Sequence, residues 1–219
     1  MSIAIAVEEV QPFLLDSNNS YIKQYRLDGT LIKTLMTNII DPQSEITSIS
    51  FSSDAKTLVS GSSDGTIKLW QNDGKIIKTL PRQNSQVTSV SFSPDSQIFA
   101  SSSRDGKVKI RKSDGKSTTL SGHNSEVTSV SFNFDGRMLA SSSRDGKINL
   151  WKNDGTLILT FNVDDEVTAI SFSPDSQTLV TGTNKGSLIL WNLNPNNLLT
   201  QSHNWLKDYL KNHPQSLYN

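Results

Sequence analysis

The chain carries few groups able to do chemistry, and their spacing says what those groups are for. It has no cysteine, which removes thiolate nucleophiles, disulfides and thiolate-bound zinc. Its histidines, His123, His203 and His213, form no H-x-x-x-H pair that would set two imidazoles on one helical face. No serine stands in G-x-S-x-G, and no G-x-x-x-x-G-K-[ST] loop is present to cradle phosphates. Asp64, Asp105 and Asp145 recur at a fixed interval, and a repeated carboxylate is one signature of calcium. Each is followed by glycine, however, as are Asp73, Asp114 and Asp154. Asp-Gly is a tight-turn pair, because glycine supplies the positive φ such turns need. These residues predict turns, so no catalytic residue, metal ligand or cofactor site is expected.

The elements behind those turns form a repeat. Residues 46–80, 87–120, 127–161 and 167–194 align nearly residue for residue, and the aligned Asp64, Asp105, Asp145 and Lys185 set a period of 41, then 40, then 40. A period of 40–45 is that of propeller blades. In the unit that begins at Val127, VTSVSF alternates with Val127, Ser129 and Ser131 on one face and Thr128, Val130 and Phe132 on the other. MLASSS, KINLW and TLILTF supply three more strands, and Asn153-Asp154-Gly155 is the hairpin between the last two. One four-stranded sheet cannot bury both faces alone, whereas sheets stacked radially do so.

An eroded unit precedes these. Residues 17–35 fit the second half of a blade, with Asn19-Ser20 at the Asp-Gly position, Tyr25 at the position of Trp70 and Trp151, and Asp28-Gly29 as hairpin. PFLLDS and SIAIAV read as its second and first strands. After Asn194 the period changes. Leu198, Leu199, Trp205, Leu206, Tyr209 and Leu210 suit an amphipathic helix ended by Pro214. His203 and His213 fall there as solvated side chains.

Charge adds an exclusion. Lys+Arg and Asp+Glu number 21 each, so net charge gives no support for a nucleic-acid or acidic-membrane partner. No run of 18 apolar residues exists to span a bilayer. The start lacks a basic region and soon meets Glu8 and Glu9, so no signal peptide is expected. A cytoplasmic location is the expectation.

The wording of the repeats resembles the WD40 family over residues 10–195. The resemblance implies an all-β fold: a WD40-type β-propeller of about five four-stranded blades over 1–199 (about 1–35, 46–80, 87–120, 127–161 and 167–199), with a short C-terminal helix and tail over 200–219. It also implies a structural tetrad of His, strand Ser or Thr, turn Asp and Trp. Only one blade has all four: His123 (after Gly122), Ser141 or Ser143, Asp145 and Trp151. The second blade lacks the His. The third has Arg111 for Trp and Pro81-Arg82-Gln83 for Gly-His. The fifth has Lys185 for Asp. Such blades are expected to be less rigid or to use other side-chain bonds, and Arg111 reads as decay or as an exposed contact. FSPDSQTL, DGTIKLW and NDGKIIKTL look like the long WD40 arrays common in cyanobacteria, which often follow an ATPase or caspase-like module absent from this chain.

The resemblance implies a non-enzymatic protein-binding scaffold. In this fold the loop before the first strand and the turn between the second and third face one entrance, which here gathers Glu45, Gln86, Glu126 and Glu166 with Ser63, Arg104, Arg144 and Asn184. Arg104, Arg144, Glu126 and Glu166 form a candidate rim for a peptide or protein partner. The alternatives are a sensor fragment acting with a separate ATPase or protease module, and a sugar-binding or enzymatic propeller. Five blades fall short of the family's usual seven. A homodimer that completes or pairs rings, a piece of a longer protein and a closed five-blade monomer all remain open. The fifth blade lacks an obvious fourth strand, for which SIAIAV or residues 197–201 are the candidates.

Overall fold

A computed structural model describes residues 2–6, 13–18, 21–26, 28, 30–36, 44–112 and 116–194. Sheet one holds β1 (Ser2–Ala6), β2 (Phe13–Asn18), β3 (Tyr21–Arg26) and β4 (Leu31–Met36). Sheet two holds β5 (Ile46–Phe51), β6 (Thr57–Ser62), β7 (Ile67–Gln71) and β8 (Ile76–Thr79). Sheet three holds β9 (Val87–Phe92), β10 (Ile98–Ser103), β11 (Lys107–Lys112) and β12 (Ser117–Ser121). Sheet four holds β13 (Val127–Phe132), β14 (Met138–Ser143), β15 (Lys147–Lys152) and β16 (Leu157–Asn162). Sheet five holds β17 (Val167–Phe172), β18 (Thr178–Thr183) and β19 (Leu188–Asn192). Every sheet is an antiparallel meander in chain order. No helix occurs among the described residues.

The first strands β1, β5, β9, β13 and β17 stand side by side in that order. The core lies in layers between consecutive sheets. Val108, Ile110 and Leu120 of sheet three meet Val127, Val130 and Phe132 of sheet four. Ile148 and Leu150 of sheet four meet Val167, Ile170 and Leu179 of sheet five. Burying each such side chain contributes roughly 1.5–3 kcal/mol. Neighbouring sheets therefore stabilise one another, and a lone sheet has no core.

The first strands lie beside one another without forming a backbone ladder, so their free amides and carbonyls need other partners. The T-S-x-S pattern supplies them. Thr47, Thr88 and Thr128 donate to the carbonyls of Val87, Val127 and Val167 in the next sheet, at 2.6, 2.5 and 2.7 Å. Ser48 and Ser50 accept from the amides of Val90 and Phe92, each at 3.0 Å. Ser89 and Ser91 do the same for Val130 and Phe132, each at 3.3 Å.

The outer turns are tied in the same way. Ser96 and Ser176 adopt left-handed φ of 58° and 59°. Their hydroxyls accept the amides of Ser53 and Phe134 from the preceding sheet, both at 3.0 Å. At the intervening junction the donor position is Pro94, which has no N–H, and the acceptor position is Gly136, which has no hydroxyl.

Two expectations change. Val127, Val130 and Phe132 share one buried cluster, although strict alternation separates Val127 from the other two. The cause is a bulge: the register with β14 shifts between Val127 and Ser129, which turns Val127 to the core side. The register shifts likewise at Ile46/Ser48 and Val167/Ala169. SIAIAV is not the fourth strand of sheet five, because Ser2–Ala6 pairs with Phe13–Ser17 as the first strand of sheet one. Among the described residues sheet five has three strands. The helix expected over 196–213, with His203 and His213, and the alternative strand at 197–201 lie outside the described residues.

Candidate functional site

Sheet four joins its polar residues into one buried network. Trp151 Nε1 donates to Ser141 Oγ at 2.9 Å, and Ser141 Oγ lies 2.8 Å from His123 Nε2. His123 Nδ1 stands 3.5 Å from Asp145 Oδ1. Asp145 in turn accepts the amides of Asn124 at 2.7 Å and Lys147 at 3.0 Å. Asn149 Nδ2 lies 3.3 Å from His123 Nε2, and Thr160 donates to Asn149 Oδ1 at 2.7 Å. With its proton on Nδ1, facing Asp145 at 3.5 Å without a hydrogen bond, His123 leaves Nε2 to accept from Ser141 and Asn149. Burial lowers the His123 pKa, with Asp145 opposing, and the imidazole is neutral at pH 7. Burial pushes the Asp145 carboxyl up, but the Asn124 and Lys147 amides and His123 outweigh it, leaving its pKa below the usual value.

Ser141, His123 and Asp145 are the residue types of an acyl-transfer triad, but this arrangement cannot run that reaction. Ser141 is 0% exposed and its hydroxyl already holds the Trp151 N–H, so no carbonyl carbon can reach it. The residue engaged is Ser141. Ser143 instead accepts the Asp145 amide at 3.1 Å and donates to the Ser125 carbonyl at 3.3 Å.

The other sheets keep part of the network. Trp70 donates to Ser60 at 2.9 Å and Trp191 to Thr181 at 3.1 Å. In sheet three Arg111 replaces the tryptophan, and its Nη1 donates to Ser101 Oγ, the counterpart of Ser141, at 2.5 Å. Arg111 is only 9% exposed, so it is not the exposed contact that the sequence allowed. In sheet five, Asp165 supplies the carboxylate that Lys185 lacks and accepts the Lys185 amide at 2.9 Å.

At one end of the sheets the entrance residues come together through the backbone. The amides of Ser63, Arg104, Arg144 and Asn184 donate to the carbonyls of Glu45, Gln86, Glu126 and Glu166, at 2.8, 3.0, 3.0 and 2.9 Å. Each Asp-Gly turn is thereby fixed to the loop that enters its sheet. Gly146 shows how tightly: its φ is +75°, and a Cβ there would lie 2.4 Å from the Val163 carbonyl oxygen. The charged heads then form a chain across three sheets. Glu126 Oε2 lies 3.5 Å from Arg104 Nε and 3.2 Å from Arg144 Nε, and Arg144 Nη1 lies 3.5 Å from Glu166 Oε2. Glu126, Arg144 and Glu166 line a depression of about 290 Å³ together with Thr47, Thr88, Thr128 and Thr168. Exposed pairs of this kind contribute roughly 0–1 kcal/mol each. Their larger effect is to hold two guanidinium groups and two carboxylates in a fixed alternation.

Sequence reasoning missed the hydroxyl ties between sheets, although T-S-x-S in three first strands was their signal. It placed Gln83 in the segment that replaces Gly-His, four residues before Val87 as His123 is before Val127, but did not foresee that Gln83 is buried. Among the described residues no cluster of three or more His, Cys, Asp or Glu is placed to hold a metal ion.

A family model for the WD domain, G-beta repeat, matches residues 29–71, 74–111, 115–152 and 155–192. Each match runs from the last strand of one sheet through the first three of the next, so the sequence repeat is offset by one strand from the structural unit and links neighbouring sheets covalently. The first three strands of sheet one fall outside the matches. No curated protein matches the chain.

Proposed function

The chain belongs to the WD40 repeat family, and on that premise we propose that it is a non-enzymatic scaffold that binds a protein or peptide at the Arg104–Glu126–Arg144–Glu166 rim. WD40 repeats generally mediate protein–protein interaction. The observation that carries the reading is the ion-pair chain itself. Side chains from three sheets converge on one threonine-lined depression, where a peptide backbone and side chains of both signs find donors and acceptors already placed. A displayed peptide library selected against the whole chain tests it. Peptides bearing charges of both signs are expected, with binding lost in the Arg104→Glu, Arg144→Glu double variant. Failure to recover binders, or binders indifferent to both substitutions, overturns the reading.

A second reading rests on sheet five. Leu188 and Leu190 are 74% and 70% exposed, while their counterparts Ile148 and Leu150 in sheet four are buried against β17. Two large apolar side chains side by side mark an association surface. The occupant proposed is a second copy of the chain, because this face continues the same sheet-on-sheet packing that closes each earlier junction. Light scattering is expected to give about twice the 24.2 kDa chain mass, reverting to one in Leu188→Glu, Leu190→Glu. A monomeric wild type overturns it.

A further inference from the structure

We propose that the cleft between sheets two and three, around Arg111 and Gln83, is a binding site for a phosphate-bearing ligand. In sheet four the equivalent place already holds an anion, the Asp145 carboxylate 3.5 Å from His123 Nδ1. Sheet three changes its members in one chemical direction. Arg111 stands where Trp151 does and takes the same kind of serine bond, to Ser101. Lys109 replaces Asn149, and Gln83 replaces His123. Asp105, the counterpart of Asp145, is turned to its own loop: its Oδ1 accepts from Ser103 Oγ and from the Lys107 amide, and its Oδ2 lies 3.8 Å from Lys107 Nζ. The counterpart carboxylate therefore does not line the cavity, although it stays within electrostatic reach of Lys109.

What remains is a cavity of about 230 Å³ whose polar lining is almost all donors. Arg111, Lys109, Lys78, Arg82 and Lys112 line it with Gln83, and no carboxylate does so among the described residues. Gln83 is buried, and its Nε2 has no hydrogen-bond partner there. A buried guanidinium without an anion is unfavourable, and a buried amide donor without an acceptor is unfavourable too. Burial alone pulls the Arg111 pKa down to about 10, with no carboxylate opposing it. Lys109 beside it is lowered by burial and then by Arg111, which outweigh the opposing pull of Asp105, so the two cations repel. One acceptor-only group of high charge resolves all of these at once. A phosphate monoester brings about −1.5 to −2 charge and three acceptor oxygens, and the flat arginine fork matches it; a carboxylate brings a single charge.

The test uses the whole chain labelled with 15N, titrated with inorganic phosphate at ionic strength held constant with sodium chloride. Acetate is run in parallel, as are a phosphoserine peptide and its unphosphorylated form. The expected result is a saturable shift of the Arg111 Nε–H and Gln83 amide signals with phosphate. It is to be lost in Arg111→Trp, which restores the residue of sheets two, four and five, and weakened about tenfold in Lys109→Asn. Tighter binding of the phosphoserine peptide than of free phosphate makes a phosphopeptide the source, and the reverse makes it a free phosphate. An equal response to acetate, shifts spread without saturation over surface lysines, or binding unchanged in Arg111→Trp overturns the proposal. Should Arg111→Trp not fold, unchanged affinity in Lys109→Asn overturns it equally.

Discussion

Replacing Ser141 by alanine removes one oxygen and leaves no cavity worth counting, so its cost measures the network almost by itself. Two groups lose a partner. The Trp151 N–H, buried and bonded only to Ser141, becomes an unsatisfied donor, which costs about 1–3 kcal/mol. His123 Nε2 keeps Asn149 at 3.3 Å, so its share is smaller, on the order of 0.5 kcal/mol. Ser141→Ala is therefore expected to lose about 2–3 kcal/mol in urea denaturation followed by circular dichroism. Trp151→Phe in the same background removes the stranded N–H along with the ring nitrogen. The two substitutions should then cost about 1–2 kcal/mol less together than the sum of each alone. Additive costs, or a Ser141→Ala loss below about 0.5 kcal/mol, would mean that the serine does not hold the tryptophan, and the reasoning fails.

Two glycines in left-handed turns separate backbone strain from steric closure. Gly146→Ala meets both, because Val163 is itself bonded to the Gly146 carbonyl at 2.7 Å and cannot yield, whereas Gly186 has φ +82° and nothing within 4 Å of a Cβ. Thermal unfolding is expected to show a loss of about 1–2 kcal/mol for Gly186→Ala and a clearly larger one for Gly146→Ala; equal losses would show that the turn is not clamped. Acid should destabilise the protein in two stages. Burial lowers the His123 pKa in the folded chain, so below the unfolded value of about 6.5 only the unfolded chain takes up that proton, and stability falls as pH falls. The lowered carboxyls of Asp54 and Asp175, each held by the serine two residues before it, contribute stability present above about pH 4 and lost below it. Melting temperature followed from pH 8 to pH 3 is expected to lose its upper stage in His123→Gln and keep the lower one; an unchanged upper stage would point to another group.

The turns were legible because Asp-Gly acts locally. Asp145, Asp154 and their counterparts cap the next amides in the chain whatever the neighbouring sheets do. Tyr25 was legible at the tryptophan position by its distance from the Asp28-Gly29 hairpin, and the structure agrees: the register in β3 shifts just before it, as it does before Trp70 and Trp151. The facing of Val127 was not legible, since a bulge adds a residue without changing the apparent alternation. Nor was the fate of Arg111, because its type favours solvent while the stacking of sheets two and three encloses it.

Sequence by itself determined the period, the strand pattern of each unit and the turn residues, since strands and turns are set by near neighbours in the chain; which residues could meet at the entrance came from the family resemblance. Tertiary structure decided the rest. The threonine and serine ties to the next sheet reach across about forty residues, and only the stacking of sheets says which backbone groups are left free to receive them. The same stacking decides that Ile148 is core while Leu188, its counterpart one unit later, is surface: the two side chains have equal preference for burial, and among the described residues only Ile148 has a following sheet packed on it.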